Sequence, residues 1–160
     1  MSLMTEIQHF TETYIDLIDA NKWEEFYDAA AKSSLFNNIG KITDVLMASG
    51  IDPLATSDRI FDNMFVRSEV RKMLIPPHIK SIGVSAFYDS ALVEVEIPEG
   101  VSDIPMECFE ECLSLQTISI PESVTHIAWS AIPSRAVIVC PKDSYAAHWG
   151  RRYHINVRIK

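Results

Sequence analysis

Three prolines, Pro76, Pro98 and Pro121, each follow an isoleucine and stand 22 and 23 residues apart. A period in this range marks a stack of like units, none of which can bury its apolar face alone. Aligned on the prolines, the same residue classes recur. Val70, Leu92 and Leu115 open three segments; Met73 and Ile75, Val95 and Ile97, Ile118 and Ile120 lead into the prolines. Ile79, Val101 and Val124 follow them, and then Ile82, Ile104 and Ile127. A small residue and a large apolar one close each unit: Ala86-Phe87, Cys108-Phe109 and Ala131-Ile132. Ile60, Phe65 and Ser68 stand 22 residues before Ile82, Phe87 and Ser90, so residues 60–65 read as the second half of an earlier, degenerate unit.

Each unit has a local logic. Val95 and Ile97 alternate with Glu94 and Glu96, the period-2 mark of a short half-buried strand. Pro98 ends it, having no N–H for a ladder. Val101, Ile104 and Phe109 then fill the interior from the opposite side. Equivalent strands follow one another in one register, which predicts a parallel sheet with one strand per coil.

The run Ile-Pro, an apolar residue three on, Ile three after that and then Ala-Phe resembles the BspA-type leucine-rich repeat family, also called the Treponema pallidum type. Ile82-Gly83-Val84-Ser85-Ala86-Phe87 and Phe109-Glu110-Glu111-Cys112 carry the likeness best, which covers roughly residues 57–160. Trp129-Ser130-Ala131-Ile132 departs from it by lacking the Phe. The resemblance implies a short leucine-rich repeat solenoid with a parallel β-sheet; with the small α-helical domain that residues 1–55 read as, the expected fold is mixed α/β. Residues 56–141 would hold the degenerate half-unit and about three units. Residues 142–160, with Lys142-Asp143-Ser144-Tyr145-Ala146-Ala147, resemble the family's closing segment and would form a C-terminal cap. Asp143 or Ser144 caps a helix there, and Ile155, Val157 and Ile159 alternate as a last strand.

Residues 1–55 do not repeat and read as three amphipathic helices. Thr5 with Gln8 makes a capping box ahead of Ile7, Phe10, Tyr14, Leu17 and Ile18. Asn21 with Glu24 starts a second helix bearing Trp23, Phe26, Tyr27 and Ala30. Ile39, Ile42, Val45 and Leu46 mark a third, ended by Gly50. An open first coil exposes apolar surface and unpaired strand edges. The helices are therefore expected to cover it, with Ile51-Asp52-Pro53-Leu54 as the junction; an independent partner-binding bundle is the rival reading.

Charge narrows the partners. Residues 1–55 carry three basic and nine acidic side chains (−6), residues 56–141 six and twelve (−6), and residues 142–160 five and one (+4). An acidic body repels polyanions over most of its surface. Arg151-Arg152-Tyr153-His154 is therefore read as a solvated face, or as a salt-bridge contact to the acidic coils, and no nucleic-acid partner is expected. No run suits a membrane span, so no membrane insertion is expected. The chain opens without an apolar signal segment, which points to the cytoplasm. Met1-Ser2-Leu3 ahead of Met4 reads as an added leader, which keeps a cell surface or a virion open and the localisation unknown.

Chemistry-bearing motifs are sparse. The five histidines (9, 78, 126, 148 and 154) have no metal-binding spacing, and no phosphate loop or nucleophile elbow occurs. No catalytic residue, metal or cofactor is expected, and the chain is read as not an enzyme. Cys108, Cys112 and Cys140 are read first as small buried thiols; a Cys108–Cys112 disulfide or a metal site with His126 is the weaker alternative.

The remaining candidate is the outward face of the strand ladder. Its residues are Lys72 and Leu74, Glu94 and Glu96, Thr117 and Ser119, with Val137 and Val139 continuing the row. Lys72 is placed to pair with Glu94. This face would take a protein partner, or would be bare or covered by the helices. The expected function is non-catalytic protein recognition. A structural subunit of a phage, prophage or other assembly is the alternative, then a bacterial surface adhesin fragment or an enzyme accessory subunit. Oligomeric state and partner identity are open.

Overall fold

A computed structural model describes all 160 residues. Helices α1 (Leu3–Thr13), α2 (Ile15–Asp19), α3 (Trp23–Ala31) and α4 (Ile39–Ala48) come first. Strands β1 (Arg59–Ile60), β2 (Lys72–Leu74), β3 (Ser81–Ile82), β4 (Glu94–Glu96), β5 (Asp103–Ile104), β6 (Thr117–Ser119), β7 (His126–Ile127) and β8 (Val137–Cys140) follow, then α5 (Tyr145–Arg152) and β9 (Asn156–Ile159).

The repeat region is a parallel β-solenoid. Its main sheet has the order β2-β4-β6-β8-β9, all parallel. The register is the repeat register: Lys72 faces Glu94 and Glu94 faces Thr117. The expectation of one strand per coil is corrected. Ile60, Ile82, Ile104 and Ile127 lie on a second set of two-residue strands, paired β1 to β3 and β5 to β7. That second ladder is interrupted between β3 and β5 for a plain reason. Gly83 N–H donates to Ile60 O (2.8 Å) and Ala128 N–H to Ile104 O (3.0 Å), but the equivalent residue between them is Pro105, which has no N–H.

The turns after the second strands link the coils most tightly. Asn63, Phe65 and Arg67 donate N–H to Val84, Ala86 and Tyr88 carbonyls of the next coil, and Ser85, Phe87 and Asp89 donate to Met106, Cys108 and Glu110. The N–H groups between them turn back three residues, as from Met64 to Phe61 and from Val66 to Asn63. This alternation needs left-handed residues at fixed places. Asn63, Ser85 and Glu107 form one column with positive φ, and Arg67, Asp89 and Glu111 a second. Such conformations cost about 1–3 kcal/mol each for non-glycine residues and persist where the surroundings fix them. Inside the turns, Phe65, Phe87 and Phe109 stack at 5.0 and 5.2 Å with nearly parallel rings, all fully buried.

Changes in repeat length fall where they disturb neither ladder. The extra residue of the 23-residue step lies between Cys112 and Leu115, in a turn where Leu113 is exposed. A further unit hides after it: Pro141 ends β8 as Pro98 ends β4, but Cys140, fully buried, sits in the isoleucine's place.

The helical segment differs from expectation in its boundaries. Ser2, not Thr5, caps α1, accepting the Thr5 N–H at 3.1 Å, and Tyr14 splits the expected first helix in two. Asn21 does not cap α3; it takes a positive φ in the preceding turn, and Lys22 at the cap makes no side-chain bond. Gly50 does end α4. With φ +84 it lets Ile51 N–H reach Leu46 O and its own N–H reach Met47 O, the paired bonds of a Schellman cap.

One buried cluster of 42 residues runs from Ile7 to Ile155, so the helices and coils share a single core. Helix α4 meets the first coil through polar atoms as well. Met64 O and Val66 O are the repeat equivalents of Ala86 O and Tyr88 O, which the preceding coil engages; here Thr43 Oγ1 (2.7 Å) and Gly40 N–H (2.9 Å) donate to them. The Asp44 carboxylate accepts from the Ser68 hydroxyl (2.6 Å) and the Glu69 N–H (2.8 Å). Tyr27 stacks on Phe61 at 5.6 Å, and its hydroxyl hydrogen-bonds the Thr43 hydroxyl at 2.7 Å.

Two substitutions test this packing by chemical denaturation. Gly to Ala ordinarily gains about 1 kcal/mol inside a helix. A Cβ at position 40 would lie 2.4 Å from Val66 O and 2.5 Å from the Phe65 carbonyl carbon. Gly40→Ala is therefore expected to destabilise by about 1–3 kcal/mol. Phe87→Ala, in the middle of the ring stack, is expected to cost about 3–5 kcal/mol.

Candidate functional site

The outward side chains of β2, β4 and β6 form one open surface because parallel strands in a common register place every second residue on the same face. Lys72, Glu94 and Thr117 make one row across it, and Leu74, Glu96 and Ser119 the next. The rows continue into Val137 and Val139 on β8 and Asn156 and Arg158 on β9. A shallow groove of about 450 Å³ runs along this face, with Arg158 at one end and Lys72 at the other.

The groove is polar at its centre and apolar at one edge. Lys72 Nζ lies 3.4 Å from Glu94 Oε2, and both side chains are more than half exposed. Such a pair contributes at most a few tenths of a kcal/mol and gives way readily to another partner. Leu74 is 81% exposed on the edge strand β2, so no helix covers this part of the sheet. The opposite apolar edge is weaker than its sequence suggests, because Val139 is only 8% exposed. Arg158, which sequence reasoning omitted, is its neighbour on β9. Its signal was the alternation of the last strand, which places Arg158 on the side opposite Val157.

Other chemistry-bearing groups are dispersed. Cys108, Cys112 and Cys140 are free and buried. Cys108 fills the site of Ala86 in the previous coil. Cys112 replaces Ser90 and donates its Sγ–H to Phe87 O at 3.0 Å. Burial pushes the Cys108 thiol well above its ordinary range and raises that of Cys112 as well. The disulfide alternative is therefore corrected: both side chains face the core as separate thiols. His126 pairs with Asp103, not with a cysteine. The basic tail makes no salt bridge to the coils; Lys142, Arg151, Arg152, Arg158 and Lys160 all lack an acidic partner. Of the two readings of that segment, the solvated face is the observed one. On the turn side, desolvation and the nearby Glu107 and Glu111 raise the Glu110 carboxyl, and desolvation with the surrounding acids raises the Tyr88 hydroxyl.

Residues 58–134 match the family model of the BspA type leucine rich repeat region, in six copies. No curated protein and no solved structure matches the chain. No helix is long and apolar enough to cross a membrane.

The burial of all three thiols gives a direct check, since a cysteine reacts only where reagent reaches its sulfur. All three cysteines are expected to resist a thiol-specific disulfide reagent at pH 8 in the native protein and to titrate as three thiols in guanidinium. Rapid native labelling at Cys108 or Cys112 would mean that the coil interior opens.

Proposed function

We propose, for a chain whose residues 58–134 belong to the BspA-type leucine-rich repeat family, a non-catalytic protein-recognition module that binds through the open face of its main sheet. The family is generally tied to protein interaction or adhesion, and its repeats typically serve as binding scaffolds. The observation that carries the sheet-face reading is the pair of outward rows in which Lys72, Leu74, Glu94 and Glu96 are exposed and Thr117 and Ser119 half-buried, over a fully packed interior. The strands fix these side chains at regular spacing, so little order is lost on binding. The acidic pair at the centre favours a partner with a basic contact patch. In this reading residues 1–55 are an N-terminal cap, residues 56–141 the working solenoid and residues 142–160 a C-terminal cap. The bonds from Gly40 and Thr43 to the first coil support the first of these.

A second reading is a structural subunit of a phage, prophage or other assembly. It draws support from β2, an edge strand without a partner on its outer side, with Leu74 beside it. Edges of this kind accept a further strand from another chain.

Selection from a displayed protein-fragment library separates the two readings. Binders of the wild-type protein are expected to lose at least tenfold in affinity for the E94K/E96K double variant, whose circular dichroism stays unchanged and whose melting point falls only slightly, because both side chains are solvated and the Lys72–Glu94 pair is weak. Equal binding by the double variant would sink the sheet-face reading. Light scattering at high protein concentration is expected to give a monomer; a growing oligomer that L74K abolishes would favour the structural subunit instead.

A further inference from the structure

A second surface lies apart from the sheet face and shares no residue with it. Two residues past the buried Ile82, Ile104 and Ile127, each coil carries an exposed apolar side chain: Val84 (41%), Met106 (51%) and Trp129 (73%). They occupy one repeat position, so they form a stripe along the solenoid whose members grow larger toward the C-terminal end. Exposed apolar side chains scattered singly are ordinary, whereas a contiguous row is a mark of contact surface. The stripe leads into a groove of about 450 Å³ between the last coil and α5. Ile127, Ala128 and Trp149 line it, and the exposed rings of Trp129 and Tyr153 border it.

Two further observations give the groove a chemical preference. Trp149 is 5% exposed, and its indole Nε1 is the one buried side-chain nitrogen or oxygen in the protein without a hydrogen-bond partner. Trp149 thus presents its ring, and not its indole N–H, to a molecule in the groove. The lining carries Arg152, His126, His148 and the hydroxyls of Tyr145 and Tyr153, with no carboxylate among it; Asp103, outside the lining, pairs with His126. The Arg152 guanidinium has no acidic partner and sits 6.0 Å over the Tyr153 ring. One side of the groove is thus formed by α5 and Tyr153, in the one segment with net positive charge, residues 142–160, on an otherwise acidic chain.

We infer that this groove is a second docking site, for a short acidic peptide segment that carries one large apolar side chain. The apolar side chain seats against Trp129 and Tyr153, and a carboxylate meets Arg152. Aromatic anchors and arginine are the residue types that dominate such contacts. A long polyanion fits less well, because it would leave the +4 segment and run onto coils that repel it. The site is independent of the sheet face, so the protein would hold two partners on different sides.

A random twelve-residue peptide library panned against the whole protein tests this. Enriched peptides are expected to combine Asp or Glu with Phe, Leu or Trp. They should bind W129A and R152E at least tenfold more weakly than wild type, weaken with added salt and shift the Trp149 indole N–H resonance. Both substituted side chains are exposed, so unchanged melting points are expected; M106K serves as an independent variant that should also weaken binding. The E94K/E96K protein should bind them within twofold of wild type, which distinguishes this groove from the sheet face. Enrichment of peptides without acidic residues, binding by W129A and R152E within twofold of wild type, or no enrichment over a W129A/R152E double variant would each overturn the proposal. Equal or tighter binding of a twelve-residue oligothymidylate would overturn it in favour of nucleic acid.

Discussion

No coil of this solenoid can satisfy its own turn. Half of the turn N–H groups, those of Asn63, Phe65 and Arg67 and of Ser85, Phe87 and Asp89, point along the solenoid axis and find carbonyls only in the next coil. An unpaired buried backbone group is too costly to persist. The stack must therefore form in register or not at all. Much else follows: the matching repeat lengths, the left-handed residues at two fixed columns, and the face-to-face Phe65, Phe87 and Phe109 rings. It also sets where length may vary. The extra residue of the 23-residue step falls outside both ladders, between Cys112 and Leu115.

The same constraint makes the ends of the array the difficult places. At the first coil the carbonyls of Met64 and Val66 have no preceding coil to engage them. A hydroxyl and a backbone amide of α4 stand in for it. Gly40 is what allows the approach, since its missing Cβ leaves room for the Val66 carbonyl. At the far end β9 extends the main sheet by one strand, and α5 packs beside it. His154 takes the left-handed position after α5, and Ile155 N–H returns to Gly150 O. Because the interior is full, what the protein presents to solvent is the open edge of β2 and its outer faces. The two that stand out are chemically unlike: a polar sheet with an acidic centre and an aromatic groove with basic edges.

Legibility followed periodicity. Buried positions repeat at 22 or 23 residues because each coil presents the same inner surface. Ile60 beneath Ile82 and Phe65 beneath Phe87 were therefore readable even where no Ile-Pro survives. The sheet-face rows were readable for the same reason, since strand alternation fixes which side chains point outward. Cys140 before Pro141 escaped because a buried thiol took an isoleucine's place. The stripe of Val84, Met106 and Trp129 was also present in the sequence as a column. It was passed over because valine, methionine and tryptophan look like core, and periodicity alone does not say which columns face water. The helical segment was read less well: without a repeat to set the frame, Ser2 and Lys22 displaced the expected caps at Thr5 and Asn21.

The sequence by itself determined the coil: its length, its strand, the proline that ends the strand and the residues that fill the interior. These are local or periodic properties, and each is written within one repeat. Only the tertiary structure decided how coils meet each other and what lies at their ends. The second ladder and its break at Pro105, the left-handed turns and the fit of Gly40 against Val66 all depend on atoms brought together from different coils or from the helices. The exposure of Trp129 and the unpaired indole of Trp149 arise in the same way, where α5 folds back beside the last coil and leaves a groove that no single repeat contains.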